Sequence, residues 1–208
     1  MGAKFKTSSQ PKREPIPEGQ YDVRCYGVAE LGTHTRTGKF GTKTNAELMI
    51  MFELPELQIT YEKDGVEVTA PRVINQRLNN SMGEKSKLRA FINAWRGKKL
   101  TDDEAANFDV AKVLSHGASI SIEHNGEYAN IATIGPLHKS VQLPAQHNPT
   151  INFGIEDMNG PEFDKLYPWV QNIIKESAEF LAMQDAQDAK DMPGQDNEPD
   201  VDMEDIPF

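Results

Sequence analysis

A mainly β fold is what this chain predicts, and three observations carry it. Apolar and polar residues alternate with period two through residues 19–31 and 45–54. An Asn125-Gly126 pair separates two further alternating runs, the signature of a tight hairpin. Between these two groups lies one amphipathic stretch in which Leu88, Phe91, Ile92 and Trp95 fall at i, i+3, i+4 and i+7, the stripe of a helix.

Taken in order, residues 1–15 hold Lys4, Lys6, Lys12 and Arg13 with two prolines, and read as a flexible basic arm. In the first strand Tyr21, Val23 and Cys25 alternate with Asp22, Arg24 and Tyr26. Residues 32–44 are rich in Gly and Thr and predict a long loop. The second strand points Leu48, Ile50, Phe52 and Leu54 one way and Glu47, Met49, Met51 and Glu53 the other, and Pro55 ends it. Residues 59–62 and 66–69 flank Lys63-Asp64-Gly65 as a hairpin, and residues 72–80 form a further strand with Ile74 and Leu78 on one face. Ser81 and Glu84 have the spacing of a capping box before the helix, and Gly97 ends it. Thr101 to Glu104 repeats the capping spacing before a shorter helix, and residues 109–115 add a turn or two. Residues 118–124 and 128–136 make the last hairpin.

Strand, basic loop, strand, hairpin strands, helix, hairpin is the order of an OB-fold, a five-stranded Greek-key barrel with a helix between its third and fourth strands. It covers residues 16–140. Residues 141–160 follow as an irregular linker. Residues 161–184 are helical, with Pro168 at a first-turn position and Val170, Ile173, Ile174, Ser177 and Leu181 on one face, to pack on the barrel or on a second subunit. Residues 185–208 cannot bury enough apolar surface to offset their ordering entropy and read as a disordered acidic tail.

Of the 208 residues 38% are hydrophobic, a low share that arm and tail account for. A single cysteine, Cys25, excludes an internal disulfide framework and multi-cysteine metal sites. The longest run of large apolar residues, Leu48 to Phe52, is too short to cross a bilayer. With no apolar stretch in residues 1–15 to serve as a secretory signal, the expectation is a cytoplasmic protein without membrane partners.

A formal net charge of −10 argues against nucleic acid until it is divided along the chain. Residues 185–208 carry −8 and residues 141–184 carry −4, leaving residues 1–140 at +2. Within the latter, residues 32–44 hold Arg36, Lys39 and Lys43 with no acid, and residues 72–99 reach +7.

No phosphate-binding loop, nucleophile elbow or zinc-helix motif occurs, and the five histidines show no pairing, so no catalytic residue, metal or cofactor is expected. Asp102, Asp103 and Glu104 are explained as a helix N-terminus, and Cys25 as a small core residue. A binding surface has better support. Single strands are held by a positive groove and by aromatic rings that stack on bases. The candidates are Arg36, Lys39, Phe40 and Lys43 in the first loop, Arg24 and Tyr26 on the first strand, Arg72 and Arg77 around the strand before the helix, and Tyr61 and Tyr128. Phe40 either stacks on a base or plugs the barrel end. Arg24 and Tyr26 lie either on a binding face or on a plain surface face. Tyr61 and Tyr128 are equally candidates for the core. Lys85, Lys87 and Arg89 read as a solvated helix face, and Phe91 and Trp95 as core.

The chain closes Asp202-Met203-Glu204-Asp205-Ile206-Pro207-Phe208. Solubility gives no reason to expose Phe208 at the end of an acidic segment. As a peptide hook, Ile206 and Phe208 fill an apolar pocket on a partner, the terminal carboxylate pairs with a base, Pro207 limits the entropy lost on docking, and the acids steer. Asp205, Ile206, Pro207 and Phe208 closely resemble the tip of bacterial single-stranded DNA-binding proteins; Glu204 keeps the charge of that family's Asp, and Met203 departs from it. The body is more similar to phage-encoded members, in Ile16-Pro17-Glu18-Gly19-Gln20-Tyr21, Phe52-Glu53-Leu54-Pro55, Lys87-Leu88-Arg89, Ala94-Trp95-Arg96-Gly97 and Tyr128-Ala129-Asn130-Ile131. The resemblance implies an OB-fold, non-catalytic and sequence-tolerant coating of single-stranded DNA during replication, recombination or repair, and recruitment of replication and recombination proteins through the tip. Departure from the bacterial body leaves a monomer or a dimer as alternatives to that family's tetramer, with a dimer favoured over the tetramer if the chain self-associates. The rival expectation is an OB-fold adaptor that binds proteins and mimics the host tail without binding DNA.

Overall fold

The computed structural model describes residues 14–39, 41–63 and 65–191. Three long strands form its spine: β1 (Gly19–Gly38), β2 (Gly41–Lys63) and β3 (Val66–Asn79). A hairpin of β4 (Gly117–Asn125) and β5 (Tyr128–Pro136) completes an antiparallel order β3-β2-β1-β4-β5, open between β3 and β5. Between β3 and β4 come α1 (Lys87–Arg96), α2 (Asp102–Ala106) and a 3-10 turn at Val110–Val113. The mainly β expectation therefore holds.

The inner faces of the strands close around one core. Val23, Cys25 and Val28 of β1 meet Leu48, Ile50, Phe52 and Leu54 of β2, Ile74 and Leu78 of β3, and Ile120 and Ile122 of β4. Helix α1, packed against β3 and β5, adds Leu88, Ile92 and Trp95. The Trp95 ring lies 5.2 Å from that of Phe52, and its indole N–H donates to the Gly117 carbonyl at 2.8 Å. Each such fully buried side chain contributes about 1.5–3 kcal/mol. Burial also pushes the Cys25 thiol up to about 12, consistent with an inert core residue.

A second core covers the other face of β1 and β2. Tyr26, Ala29, Leu31, Met49 and Met51 are buried there under the C-terminal segments. Those segments are β6 (Ile151–Phe153), which pairs parallel to β1 at Gly27–Ala29, a 3-10 turn at Ile155–Asn159, and three helices: α3 (Pro161–Asp164), α4 (Pro168–Lys175) and α5 (Ala178–Asp191). β6 takes the β1 edge that β4, paired at Gly19–Arg24, has left.

Several sequence expectations are corrected. Residues 32–44 are a two-stranded ribbon, not a loop, because Thr35 pairs with Thr44 and Thr37 with Thr42 through hydroxyl contacts of 2.8 and 3.0 Å across it. Phe40, at its tip, lies outside the described residues. β2 does not stop at Pro55: pairing jumps from Leu54–Arg72 to Gln58–Pro71, so the proline sits in a bulge where no ladder hydrogen bond is lost. Residues 66–79 are consequently one strand.

The helix is capped by Ser86, whose hydroxyl accepts from the Arg89 N–H at 3.1 Å, and not by Ser81. Thr101 and Glu104 do form the reciprocal capping box, and Gly97 adopts φ 64° at the end of α1. The last hairpin turns at Gly126 and Glu127, one residue later than Asn125-Gly126 suggests, with Gly126 at φ 65°.

The linker at 141–160 is a packed strap. Arg24 donates to the carbonyls of Pro144 and, at 3.4 Å, Leu143. The buried Glu53 carboxylate accepts from the N–H groups of His147 and Asn148 and from the Asn148 side chain. Residues 161–184 are broken helices, since Tyr167, ahead of Pro168, is forced to extended backbone at ψ 140°. Ser177 then starts α5 by accepting from the Phe180 N–H. The C-terminal helices pack on their own sheet. α5 continues to Asp191, past the expected tail boundary at 185. Residues 192–208, with the whole Ile-Pro-Phe tip, lie outside the described residues.

Candidate nucleic-acid interface

The sequence candidates fall into two neighbouring groups and several outliers. The first group is built by Glu47, 6% exposed on the outer face of β2. Its carboxylate accepts from the Arg36 Nε at 2.9 Å and from the Arg77 Nε. Burial alone would raise this carboxyl; the hydrogen bonds and charges of Arg36 and Arg77 outweigh it and hold it below the usual carboxylate range. Lys43 pairs with Arg36 across the ribbon, and the two are exposed on one side of it. Lys39 is exposed at the ribbon end. Two cations bound to one carboxylate, with two lysines beyond, leave this region positive.

The second group surrounds a cavity of about 400 Å³ between the β2–β3 ribbon and the start of α4. Tyr26, Tyr61 and Arg72, all expected, line it together with Val73, Tyr167 and Trp169. Tyr61, Val73 and Trp169 are 38%, 39% and 42% exposed, so three of the six exposed large apolar side chains among the described residues gather at one place. Such convergence marks an interaction site better than scattered exposure does. The Tyr167 and Trp169 rings are nearly parallel, at 12°, with centroids 6.5 Å apart. Arg72 donates to the carbonyls of Pro15, at 3.3 Å, and Glu14, which fixes the chain just after Lys12 and Arg13.

Val73, Asn75 and Arg77 alternate on the outer face of β3 and run from the cavity towards the basic ribbon, about 13 Å at strand rise. The two groups thus share one face.

The outliers have other employment. Tyr26 borders the aromatic cavity only from the second core, where it is fully buried and burial holds its phenol above the usual range, so its ring has no exposed face for a base. Arg24 is half-buried and ties down the strap. Tyr128 is 75% exposed, on the separate β4–β5 hairpin. Phe40 and the tip residues Asp205, Ile206, Pro207 and Phe208 lie outside the described residues.

Sequence reasoning missed Trp169 and Tyr167 as site residues. The available signal was that Trp169 sits off the Val170–Ile174 stripe of its helix, on a side with no core to fill. A larger cavity, about 650 Å³, lies beside α1 and α2, but its rings, Trp95 and Phe108, belong to the first core or pack against it. Among the described residues no cluster of His, Cys, Asp and Glu is arranged to hold a metal ion, and no helix is long and apolar enough to cross a membrane. No protein-family model, curated protein or solved structure gives a significant match to this chain.

Proposed function

We propose that this protein is a non-catalytic single-stranded DNA-binding protein that coats DNA with little sequence preference. The observation that carries the proposal is the outer side of β3, with the basic ribbon at one end and the aromatic cavity at the other, beside a β2 face that Met49, Met51 and Glu53 keep buried. A single strand needs both features, cations for its phosphates and π-faces for its bases. The strand order β3-β2-β1-β4-β5, with α1 inserted after β3 and seated against β3 and β5, supports an OB-type barrel. In such barrels the face of the second and third strands is the usual ligand face, which is where both groups lie.

The acidic C-terminal segment ending Asp205-Ile206-Pro207-Phe208 supports the second half of the proposal, recruitment of replication and recombination proteins in a phage-infected bacterial cytoplasm. The self-association proposed is a dimer. Affinity titrations against single-stranded DNA, duplex and RNA, with mass by light scattering, test these statements together. Saturable, salt-sensitive binding of single strands supports them; absence of binding at low salt removes the coating role.

One observation favours the adaptor alternative. Arg24, Arg36, Arg72 and Arg77 all have protein partners already. If those contacts are purely structural, the barrel is a protein-binding module, and low-salt DNA titration separates the two.

A further inference from the structure

The cavity between the β2–β3 ribbon and α4 has a composition that selects its occupant. Its exposed walls are the Tyr61 and Trp169 rings and Val73, with Arg72 at the rim. Of the polar groups within reach, one is without a partner, the buried Tyr26 hydroxyl, and the others hold one another. The Tyr167 hydroxyl donates to the Asn148 Oδ1 at 3.4 Å, and the Asn148 amide donates to the Glu53 carboxylate at 2.8 Å. The walls therefore offer apolar and π surface, a single unpartnered hydroxyl at Tyr26 and one cation beside it. That combination fits a flat aromatic group attached to an anion, and discriminates weakly between different rings.

We propose that this cavity is a nucleobase-stacking subsite of the DNA path, with Trp169 as its principal stacking residue and Tyr61 as the opposing wall. The proposal rests on the single-stranded DNA-binding function above and extends it to a residue that belongs to the C-terminal helices and not to the barrel. The helices that cover the second core thereby become part of the binding surface. A strand leaving the cavity past the exposed Val73 and the half-buried Asn75 and Arg77 would reach the exposed Arg36 and Lys43. An aromatic or prolyl side chain of a partner peptide would suit the same walls. Continuity with the basic face, and the anchoring of the segment that follows Lys12 and Arg13 at Arg72, favour the nucleotide.

The chain has two tryptophans, and Trp95 is only 6% exposed in the barrel core. Emission from Trp169 is therefore a direct probe. The experiment titrates end-labelled oligo-dT into the full chain and follows both label anisotropy and tryptophan emission, in wild type and in Trp169→Ala, Trp169→Phe and Tyr61→Ala. The expected result is quenching in wild type that tracks the anisotropy. Affinity should fall about 5- to 150-fold in Trp169→Ala, the range of one lost stack, with a smaller loss in Tyr61→Ala. In Trp169→Phe affinity should be retained within a few-fold while the quenching disappears. Unchanged thermal unfolding of the exposed-site variants shows that they are folded. If wild type binds the oligonucleotide but Trp169→Ala and Tyr61→Ala bind equally well and emission does not change, the subsite is overturned while DNA binding stands. If wild type does not bind at low salt, both are overturned.

Discussion

Glu47 is the residue on which the basic face is organised. Replacing it by Gln removes the charge that holds Arg36 and Arg77 and leaves the half-buried Arg77 guanidinium without its partner. The expected cost is about 1–3 kcal/mol of stability, read as a lower urea midpoint at unchanged slope. The same carboxyl gives a pH signature. Its folded value is depressed, so its stabilisation is fully present above the ordinary value near 4.5 and is lost as pH falls through the lower folded value. Glu179, which accepts from the Thr33 N–H and hydroxyl at 2.7 and 2.6 Å, behaves the same way: burial raises it and these hydrogen bonds outweigh the burial. Unfolding midpoints measured between pH 6 and pH 3 should fall for wild type and fall less for Glu47→Gln; parallel curves would contradict the assignment. At this scale the sequence was informative where a hydrogen bond is local. Thr101, Glu104 and Gly97 were legible because their partners lie within four residues. Ser81 was chosen over Ser86 because spacing alone cannot choose between two serines ahead of one stripe. The pairing of Glu47 with Arg36 and Arg77 was not legible, since it depends on strand register.

Among the elements, the β1–β2 ribbon carries the DNA prediction and Gly32 carries the stability prediction. Replacing Arg36, Lys39 and Lys43 together by Ala should weaken binding of single strands and reduce the salt slope by about 2, at roughly 0.7 per phosphate contact. Titrations at several salt concentrations measure this, and an unchanged slope would remove the ribbon from the DNA path. Gly32 stands at φ 78°, where an added Cβ would lie 2.5 Å from the Ser177 Cβ at the start of α5. Gly32→Ala should therefore cost about 1–3 kcal/mol, through strain and displacement of α5, and a midpoint equal to wild type would contradict that packing. The glycines and threonines of residues 32–44 suggest turns, although four threonines spaced to pair across the hairpin are also a strand signal. The broken C-terminal helices were half legible: Pro168 was placed correctly, but its effect on Tyr167 was overlooked.

At the largest scale the described residues form a sheet buried on both faces, the core that includes α1 on one side and the C-terminal helices on the other. The run Leu48 to Phe52, apolar at both parities, is the pattern of a doubly buried strand. It was legible as such, yet the alternation of Glu47 and Glu53 made the outer face look solvated. That is also why Tyr26 was expected to meet ligand. The division of charge along the chain is read from the sequence alone. Removing residues 192–208, which hold six acids and no base, should leave affinity for single strands unchanged or raised, because a segment that competes with phosphates is lost. Deleting Phe208 alone should abolish partner capture and leave DNA affinity intact; undiminished capture would contradict the hook.

The central claim, that one basic and aromatic face binds single strands, is tested most directly by equilibrium titration of a labelled oligo-dT with the full chain across a salt series. The account predicts saturable binding at low salt, with log affinity falling linearly as log salt rises. No binding at low salt, or binding indifferent to salt, would contradict it.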